Sequence, residues 1–182
     1  MINKIDCTLR KLDEPDLDLV LKWRNSEQVR NNMFSSHIIS YEEHRSWYKS
    51  VIEQKKSIYL IFEFQRKPVG LVYFNDINTE SNRCFWGFYL GENSTVKGTG
   101  TAMGFCGLEY AFETLNIRKV CGEVLGFNAN SIKFHKRLCF KEEGRFVEHI
   151  LKDGKLVDII YFSLFKKEWV ENKECLKSYT FY

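Results

Sequence analysis

The chain has 182 residues, of which 44% are hydrophobic, and this suits one compact domain spanning residues 1–182 with a sizeable core. Lys and Arg outnumber Asp and Glu by only 27 to 24, so we expect no nucleic-acid partner, because a dedicated nucleic-acid binder needs a stronger basic field. No apolar run reaches membrane-spanning length and the N-terminal residues lack the apolar core of a signal peptide, which predicts a cytoplasmic protein with no membrane partner.

The first quarter of the sequence predicts a strand and two helices. Residues 5–10 alternate weakly between polar and apolar, as a first strand does. Asp13 suits an N-cap with Pro15 in the first helical turn, and apolar residues then recur at helical spacing. After an irregular stretch, Ser40 and Glu43 form a capping-box pattern ahead of a second helix with one apolar face.

The middle of the sequence changes to the two-residue period of strands. Residues 58–64 and 69–74 are rich in β-branched and aromatic residues, and the four residues between them indicate a hairpin turn. A third strand at 83–90 precedes a glycine-containing loop, and residues 102–115 carry apolar side chains at helical spacing.

The last third predicts a strand at 119–125, a helix at 131–138 and a hairpin that turns at Asp153-Gly154. Residues 166–182 predict a C-terminal helix or tail. The element order is β-α-α-β-β-β-α-β-α-β-β. It predicts a mixed α/β fold, in which a sheet of about seven strands is flanked by about four helices.

Six cysteines are widely and irregularly spaced, with no CxxC pair and no Cys/His cluster of zinc-site spacing. We therefore predict no metal site and interpret the cysteines as small buried hydrophobic residues. A disulfide framework and a catalytic thiol stay open as alternatives, although a reducing compartment disfavours the first and no activating motif supports the second.

The loop between the third strand and the following helix predicts an anion site. It runs Thr95-Val96-Lys97-Gly98-Thr99-Gly100-Thr101, and amides at a helix N-terminus are unpaired and favour a phosphate or pyrophosphate. It lacks the GK[ST] of a P-loop, and it does not close a first βα turn as a dinucleotide fingerprint does. A plain turn is the alternative, because two glycines alone are a weak signal.

A second segment follows this loop: Asn128-Ala129-Asn130-Ser131-Ile132-Lys133-Phe134-His135-Lys136-Arg137-Leu138-Cys139-Phe140. Together, the loop and this segment resemble the GNAT acetyltransferase superfamily over nearly the whole chain. Thr95 stands where that family's loop signature has Arg or Gln. The resemblance implies the GNAT fold with a twisted, mostly antiparallel sheet, acetyl-CoA as acetyl donor, and splayed strands at 83–90 and 119–125 that hold the pantetheine arm.

The overall pattern, including Leu21-Lys22-Trp23-Arg24-Asn25, looks most similar to the N-acetyltransferases of pseudaminic acid biosynthesis. These acetylate the 4-amino group of a UDP-linked 4-amino-4,6-dideoxy-N-acetyl-altrosamine, on a route linked to flagellin glycosylation. The partner we expect is therefore a UDP-linked aminosugar or another small amine, and a homodimer is compatible with the resemblance. We expect direct transfer, because no cysteine is placed at the expected thioester.

Two residues are candidates for proton transfer. Glu123 lies on the strand at 119–125, where a carboxylate could accept the proton of the amine, and a solvated glutamate is the alternative. His135 occupies the position where many GNAT enzymes carry the tyrosine that protonates the leaving thiolate. An imidazolium could do the same near neutral pH, whereas a packed helix residue is the alternative.

The expected cofactor contacts are loop amides, strand amides that also polarise the carbonyl, and residues of the Asn128 segment. They are Phe88, Leu90, Val96, Lys97, Gly98, Thr99, Gly100, Thr101, Asn128, Ser131, Phe134 and Lys136. The expected acceptor contacts are Trp23, Arg24, Asn25, Arg30 and Tyr73, because arginine can hold a diphosphate bidentately and aromatic rings can line a sugar pocket. Core packing and salt bridges are the alternatives for these residues.

Two other functions stay open at this stage. A GNAT protein that acetylates a protein N-terminus, a polyamine or another small amine would carry the same two segments. A non-catalytic CoA-binding module would also carry them, with Glu123 and His135 in structural roles.

Overall fold

The computed structural model describes residues 2–53 and 56–181. Its strands are β1 (Cys7–Lys11), β2 (Ile58–Phe64), β3 (Lys67–Asn78), β4 (Arg83–Leu90), β5 (Lys119–Leu125), β6 (Lys141–Lys152) and β7 (Lys155–Phe165). Its α-helices are α1 (Leu17–Asn25), α2 (Glu27–Arg30), α3 (Tyr41–Glu53), α4 (Thr99–Glu109), α5 (Ala129–Arg137) and α6 (Lys166–Thr180).

The seven strands form one sheet in the order β1-β2-β3-β4-β5-β7-β6. Every neighbouring pair is antiparallel except β4 and β5, which are parallel. The predicted fold class, a mixed and mostly antiparallel sheet of seven strands, is confirmed. The described ranges contain six α-helices where four were predicted, and α2 was missed because four residues are too few to show a helical period.

Local sequence signals explain where the elements begin and turn. Asp13 caps a short 3-10 turn in a capping box that leads into α1, and Ser40 and Glu43 exchange the predicted capping hydrogen bonds before α3. The β2–β3 turn is shorter than predicted, because Gln65 and Arg66 both adopt positive φ angles and β3 already begins at the next residue.

Helices cover both faces of the sheet. On one face, Phe105 of α4, Phe112 of the π-helical turn Tyr110–Thr114 that follows it, and Trp169 of α6 pack over the central strands. On the other face, Val20 and Trp23 of α1 and Val29 of α2 form a second cluster with β2, β3 and β4. Within residues 2–53 and 56–181, no helix combines the length and apolar character that crossing a bilayer requires.

Candidate active site

The two parallel strands separate along their length. Backbone pairing between β4 and β5 extends only from Arg83 with Lys119 to Phe85 with Cys121, although β4 continues to Leu90 and β5 to Leu125. A cavity of about 610 Å³ opens between the diverging ends. The splay that the resemblance implied is therefore present, at the strands where it was expected.

Main-chain groups of β4 face this opening. The Gly91 amide donates to the Val69 carbonyl at 2.9 Å, and the next pair in the register is Gly70 with Leu90. Hydrogen-bonded and non-hydrogen-bonded pairs alternate along an antiparallel ladder, so the amide and carbonyl of Leu90 point away from β3, as do those of Phe88 two residues earlier. Both residues line the cavity, and their free groups can pair with an extended amide-containing arm.

The N-terminus of α4 stands at the mouth of the cavity. Gly98 is the N-cap at φ 101°, a left-handed conformation that favours glycine, and no side chain caps the helix. In the described residues, no protein group accepts from the amides of Gly100 and Thr101. A Cβ on Gly100 would meet only Leu90 at 3.5 Å, so packing does not require glycine there. This turn can therefore receive an anion.

Loop residues outside this turn contribute less to the opening. Thr99 is buried and its hydroxyl donates to the Val96 carbonyl at 2.6 Å, which tightens the turn. Val96 and Lys97 are exposed and do not line the cavity, so only their backbone could reach a ligand. The side-chain hydroxyl of Thr101 lies 3.5 Å from the Arg137 guanidinium, its hydrogen-bond donor.

The start of α5 forms another wall. The Asn128 side chain accepts from the Ser131 amide at 3.0 Å and caps the helix, and both residues line the cavity. The Phe134 ring packs against the Phe88 ring, with 4.5 Å between the ring centroids. Lys136 does not line the cavity and pairs with Glu142 at 3.6 Å. Arg137, which touches the first turn of α4, is better placed than Lys136 to meet a phosphate.

Glu123 opens onto the cavity from β5. Removal from bulk water raises the pKa of its carboxyl group; His149 opposes the rise and Asp76 adds to it. Asp76 also lines the cavity, at a positive φ of 48° beside an irregularity in the β3–β4 pairing. A carboxylate with a raised pKa at this place has the properties of a general base.

His135 lines the cavity but does not have the properties of a proton donor. The ring is 3% exposed, and burial lowers its pKa to about 4, so about one ring in a thousand is protonated at pH 7. Its Nε2 accepts from the Trp86 indole at 3.2 Å, and its Nδ1 lies 2.8 Å from the Ser131 carbonyl, to which it donates. The predicted imidazolium role is therefore corrected: both nitrogens are engaged in a neutral ring.

A second cavity of about 460 Å³ adjoins the first and shares five lining residues with it, among them Tyr73 and Asn75. Arg24 lines it, half-buried, with one guanidinium nitrogen bonded to the Ser35 carbonyl at 3.1 Å and Nη1 buried without a partner. Burial lowers the pKa of Arg24. In the described residues no carboxylate pairs with Arg24; Glu43, which also lines this cavity, pairs with His37 at 3.3 Å instead, so the positive charge of Arg24 has no ion-pair partner.

The remaining acceptor candidates do not face either cavity. Trp23 is buried in the α1 cluster and donates its indole hydrogen to Glu92 at 2.8 Å. The Asn25 amide exchanges two hydrogen bonds with the Ile39 backbone, and Arg30 donates to the Ser36 carbonyl. These three predictions are corrected: Trp23 packs in the core, whereas Asn25 and Arg30 hold the segment 31–39, which we call the acceptor wall.

Three residues that line the cavities are not predicted from the sequence as ligand contacts: His44, Asn75 and Asp76. His44 is buried with Nε2 unpartnered and Asn75 has Oδ1 unpartnered, and both line the second cavity. His44 lies on the apolar face of the predicted second helix, where the sequence pattern favours packing over a ligand contact. No pattern in the sequence predicts Asn75 or Asp76 as cavity residues, because an irregularity in the β3–β4 pairing places them there.

The described part of the chain holds no group of three or more His, Cys, Asp or Glu side chains arranged to hold a metal ion. None of the six cysteines is in a disulfide and none lines either cavity. Burial raises the pKa of several, including that of Cys84 to about 12. These thiols are therefore poor nucleophiles.

Comparisons with known proteins agree with this geometry. Residues 6–141 match the family described as Acetyltransferase (GNAT) domain. An uncharacterized N-acetyltransferase p20 from Bacillus licheniformis is 26% identical over 89% of this chain and 94% of its own length. Acetyltransferase PseH of Campylobacter jejuni is 26% identical over 70% of this chain and 78% of its own length.

Among solved structures, spermidine N-acetyltransferase from Vibrio cholerae in complex with CoA and spermine superposes with a TM-score of 0.85. That protein is 22% identical, and the match covers 91% of this chain and 99% of the other. At this identity the likeness concerns the fold. Because the family match spans most of the sequence and the splayed cleft is present, the chain belongs to the GNAT acetyltransferase family.

Proposed function

We propose that this protein transfers the acetyl group of acetyl-CoA directly to the 4-amino group of a UDP-linked 4-amino-4,6-dideoxy-N-acetyl-altrosamine, a step of pseudaminic acid biosynthesis. The charge of Arg24 beside the catalytic cleft carries the choice of acceptor. The PseH relatives also support it. A cytoplasmic location, homodimer formation and a single domain stay predictions.

The cleft fits acetyl-CoA, which supplies a reactive thioester. The unpaired amides of Gly100 and Thr101 suit its pyrophosphate, because they combine free donors with the positive end of the α4 dipole. The free main-chain groups of Phe88 and Leu90 suit the amides of the pantetheine arm. Arg137 adds a positive charge at the same helix end.

The residues divide the chemistry between them. Glu123 accepts the proton of the acceptor amine, directly or through water, because a neutral amine is the nucleophile. The Leu90 amide, which points away from β3, donates to the carbonyl oxygen on which negative charge develops. His135 orients the Ser131 turn, and the departing sulfur takes its proton from solvent or from the acceptor rather than from this ring.

The acceptor side favours an anion with a flat group. Arg24 lines the second cavity, and its Nη1 is buried without a hydrogen-bond partner. A half-buried guanidinium binds phosphate through charge-assisted hydrogen bonds. The ring centroids of Trp47 and Tyr59 lie 4.9 Å apart, and those of Tyr59 and Tyr73 lie 5.3 Å apart. This aromatic surface suits a nucleobase or a sugar ring.

A polyamine acceptor is the second candidate. The resemblance to spermidine N(1)-acetyltransferase of Vibrio cholerae over 92% of this chain favours it, as do the carboxylates of Glu123 and Asp76 in the first cavity. A polycation that extended into the second cavity would, however, meet the Arg24 guanidinium. Because burial of like charges together is strongly unfavourable, the nucleotide-linked acceptor fits better.

The test is thiol release from acetyl-CoA with three acceptors: the UDP-linked aminosugar, spermidine and a peptide with a free N-terminus. We expect the nucleotide sugar to give the largest kcat/KM. Arg24→Met should raise the KM for that acceptor at least tenfold. The control, Arg45→Met, removes an exposed guanidinium paired with Glu14 and should change nothing. Preferential turnover of spermidine would refute the proposed acceptor and keep the transferase.

A further inference from the structure

We propose that Ile2 and Phe181, which we call the α4 clasp, position the N-terminal turn of α4 and thereby set the affinity of the protein for CoA. This inference rests on the proposed function, because that turn is the proposed pyrophosphate site. Neither residue lies in the GNAT match at 6–141, and neither lines a cavity. Both would act through α4 rather than by touching the ligand.

The turn needs such support because it lacks the usual one. Helices commonly begin with a side chain that accepts from the first free amides, but at α4 the N-cap is Gly98, which has no side chain. A capping group would also compete with an anion for those amides. The hydrogen bonds of Thr99 to the Val96 carbonyl tighten the turn internally, but its position on the protein depends on packing, because no side chain caps it.

Ile2 supplies packing at this point. It is 2% exposed, and a Cβ built on Gly98 would lie 3.5 Å from Ile2 Cδ1, so the side chain lies against the backbone of the N-cap. Loop residues on the other side, such as Val96, are exposed. A buried isoleucine below an exposed loop limits how far the N-cap can move inward.

Phe181 holds Ile2 in place and extends the support along the helix. The two residues form a parallel β-bridge, and the Phe181 ring meets the Phe105 ring of α4 edge-on at 5.2 Å. Phe105 is fully buried and also contacts Trp169 of α6 at 5.1 Å. The clasp thus connects the N-cap and the second turn of α4 to α6.

The other end of α4 has separate ties. Lys4 pairs with Glu109 at 2.6 Å, and Lys173 pairs with Glu109 at 3.2 Å and with Glu113 at 2.6 Å. These ion pairs fix the C-terminal end of α4 at Glu109 and the turn that follows it. Loss of the clasp should therefore leave α4 folded and anchored while its N-terminal turn gains freedom.

The experiment compares CoA binding by calorimetry in the full chain and in the variants Ile2→Ala and Phe181→Ala. We expect the Kd for CoA to rise about three- to tenfold in both, because the free amides must be ordered again on binding. The KM for acetyl-CoA should rise by the same factor while kcat at saturation and the KM for the acceptor stay unchanged. Ile2→Val, which removes a single methylene, should give a smaller change in the same direction if the alanine variant does not fold.

Leu176→Ala is the matched control, because Leu176 is a buried apolar residue of the same helix as Trp169. It should lower the melting temperature and leave the Kd for CoA unchanged. Equal Kd values for the clasp variants and the unaltered protein would overturn the inference, as would an equal rise in Leu176→Ala. Failure of the unaltered protein to bind CoA would remove the proposed function itself, a result that is distinguishable because it precedes any comparison of variants.

Discussion

The neutral, buried state of His135 has a consequence for stability that can be measured without any substrate. Burial lowers the pKa of this ring from 6.5 to about 4. As the pH falls below about 6.5, the unfolded chain binds a proton that the folded chain does not, so the free energy of unfolding decreases. The loss is complete near pH 4 and amounts to about 3 kcal/mol, at about 1.4 kcal/mol per tenfold change in proton affinity.

The assay is urea denaturation of the unaltered protein and of His135→Gln at about pH 7.5, 6, 5 and 4. A glutamine can still accept from the Trp86 indole and does not titrate. The difference in unfolding free energy between the two proteins should therefore shift by about 3 kcal/mol across this range, in favour of the variant at low pH. His37→Gln is the control, because the His37 side chain is 57% exposed; it should keep the pH dependence of the unaltered protein.

Parallel pH curves for the unaltered protein and His135→Gln would refute this reasoning. So would a ring titration of His135 near 6.5 in an NMR experiment. Either result would mean that the imidazole is accessible to protons in the folded state. His135 would then again be a candidate for protonating the departing thiolate.

Three further predictions concern the cleft and its walls. Glu123→Gln should lower kcat about a hundredfold or more. It should also abolish the acid limb of the pH profile of kcat/KM, whose midpoint in the unaltered protein should lie above the ordinary glutamate pKa of 4.5. An unchanged acid limb would exclude Glu123 as the base. Gly100→Ala should raise the KM for acetyl-CoA at little cost in stability. Gly87→Ala should instead destabilise the protein by about 1–3 kcal/mol, because its Cβ would lie 2.1 Å from the Tyr73 ring. Equal melting temperatures for the two variants would contradict this difference. Asn25→Ala should raise the KM for the acceptor alone and cost about 1–3 kcal/mol, and a changed KM for acetyl-CoA would argue against a wall-holding role.

Much of the fold follows from local patterns. The strands predicted at 83–90 and 119–125 have the bounds of β4 and β5, because β-branched and aromatic runs between polar segments leave little choice of period. The hairpin turn at Asp153-Gly154 is also present, with both residues at positive φ. These features depend on neighbours in the chain, which the sequence displays.

The acceptor side could be predicted only in part, for a geometrical reason. Trp23, Arg24 and Asn25 are consecutive on a helix, so their side chains point about 100° apart. One enters the core, one enters the second cavity and one reaches the acceptor wall. The sequence predicts that the triplet is functional, but only the packing of α1 against the sheet decides which member faces a ligand.

The same limit applies to His135. Its position in the motif predicted a proton donor, whereas its pKa depends on surrounding rings, including Trp86 and Phe162, which come from distant strands. Long-range burial decides the charge of a histidine, and no local pattern reports it.

The most direct test of the account follows an acetyl label from acetyl-CoA in the presence and absence of the UDP-linked aminosugar, with thiol release and intact protein mass measured together. We predict that thiol appears only with the acceptor, that the label is found on the acceptor amine, and that the protein mass stays unchanged. Label on the protein, or no thiol release with any amine, would contradict direct transfer in the splayed cleft.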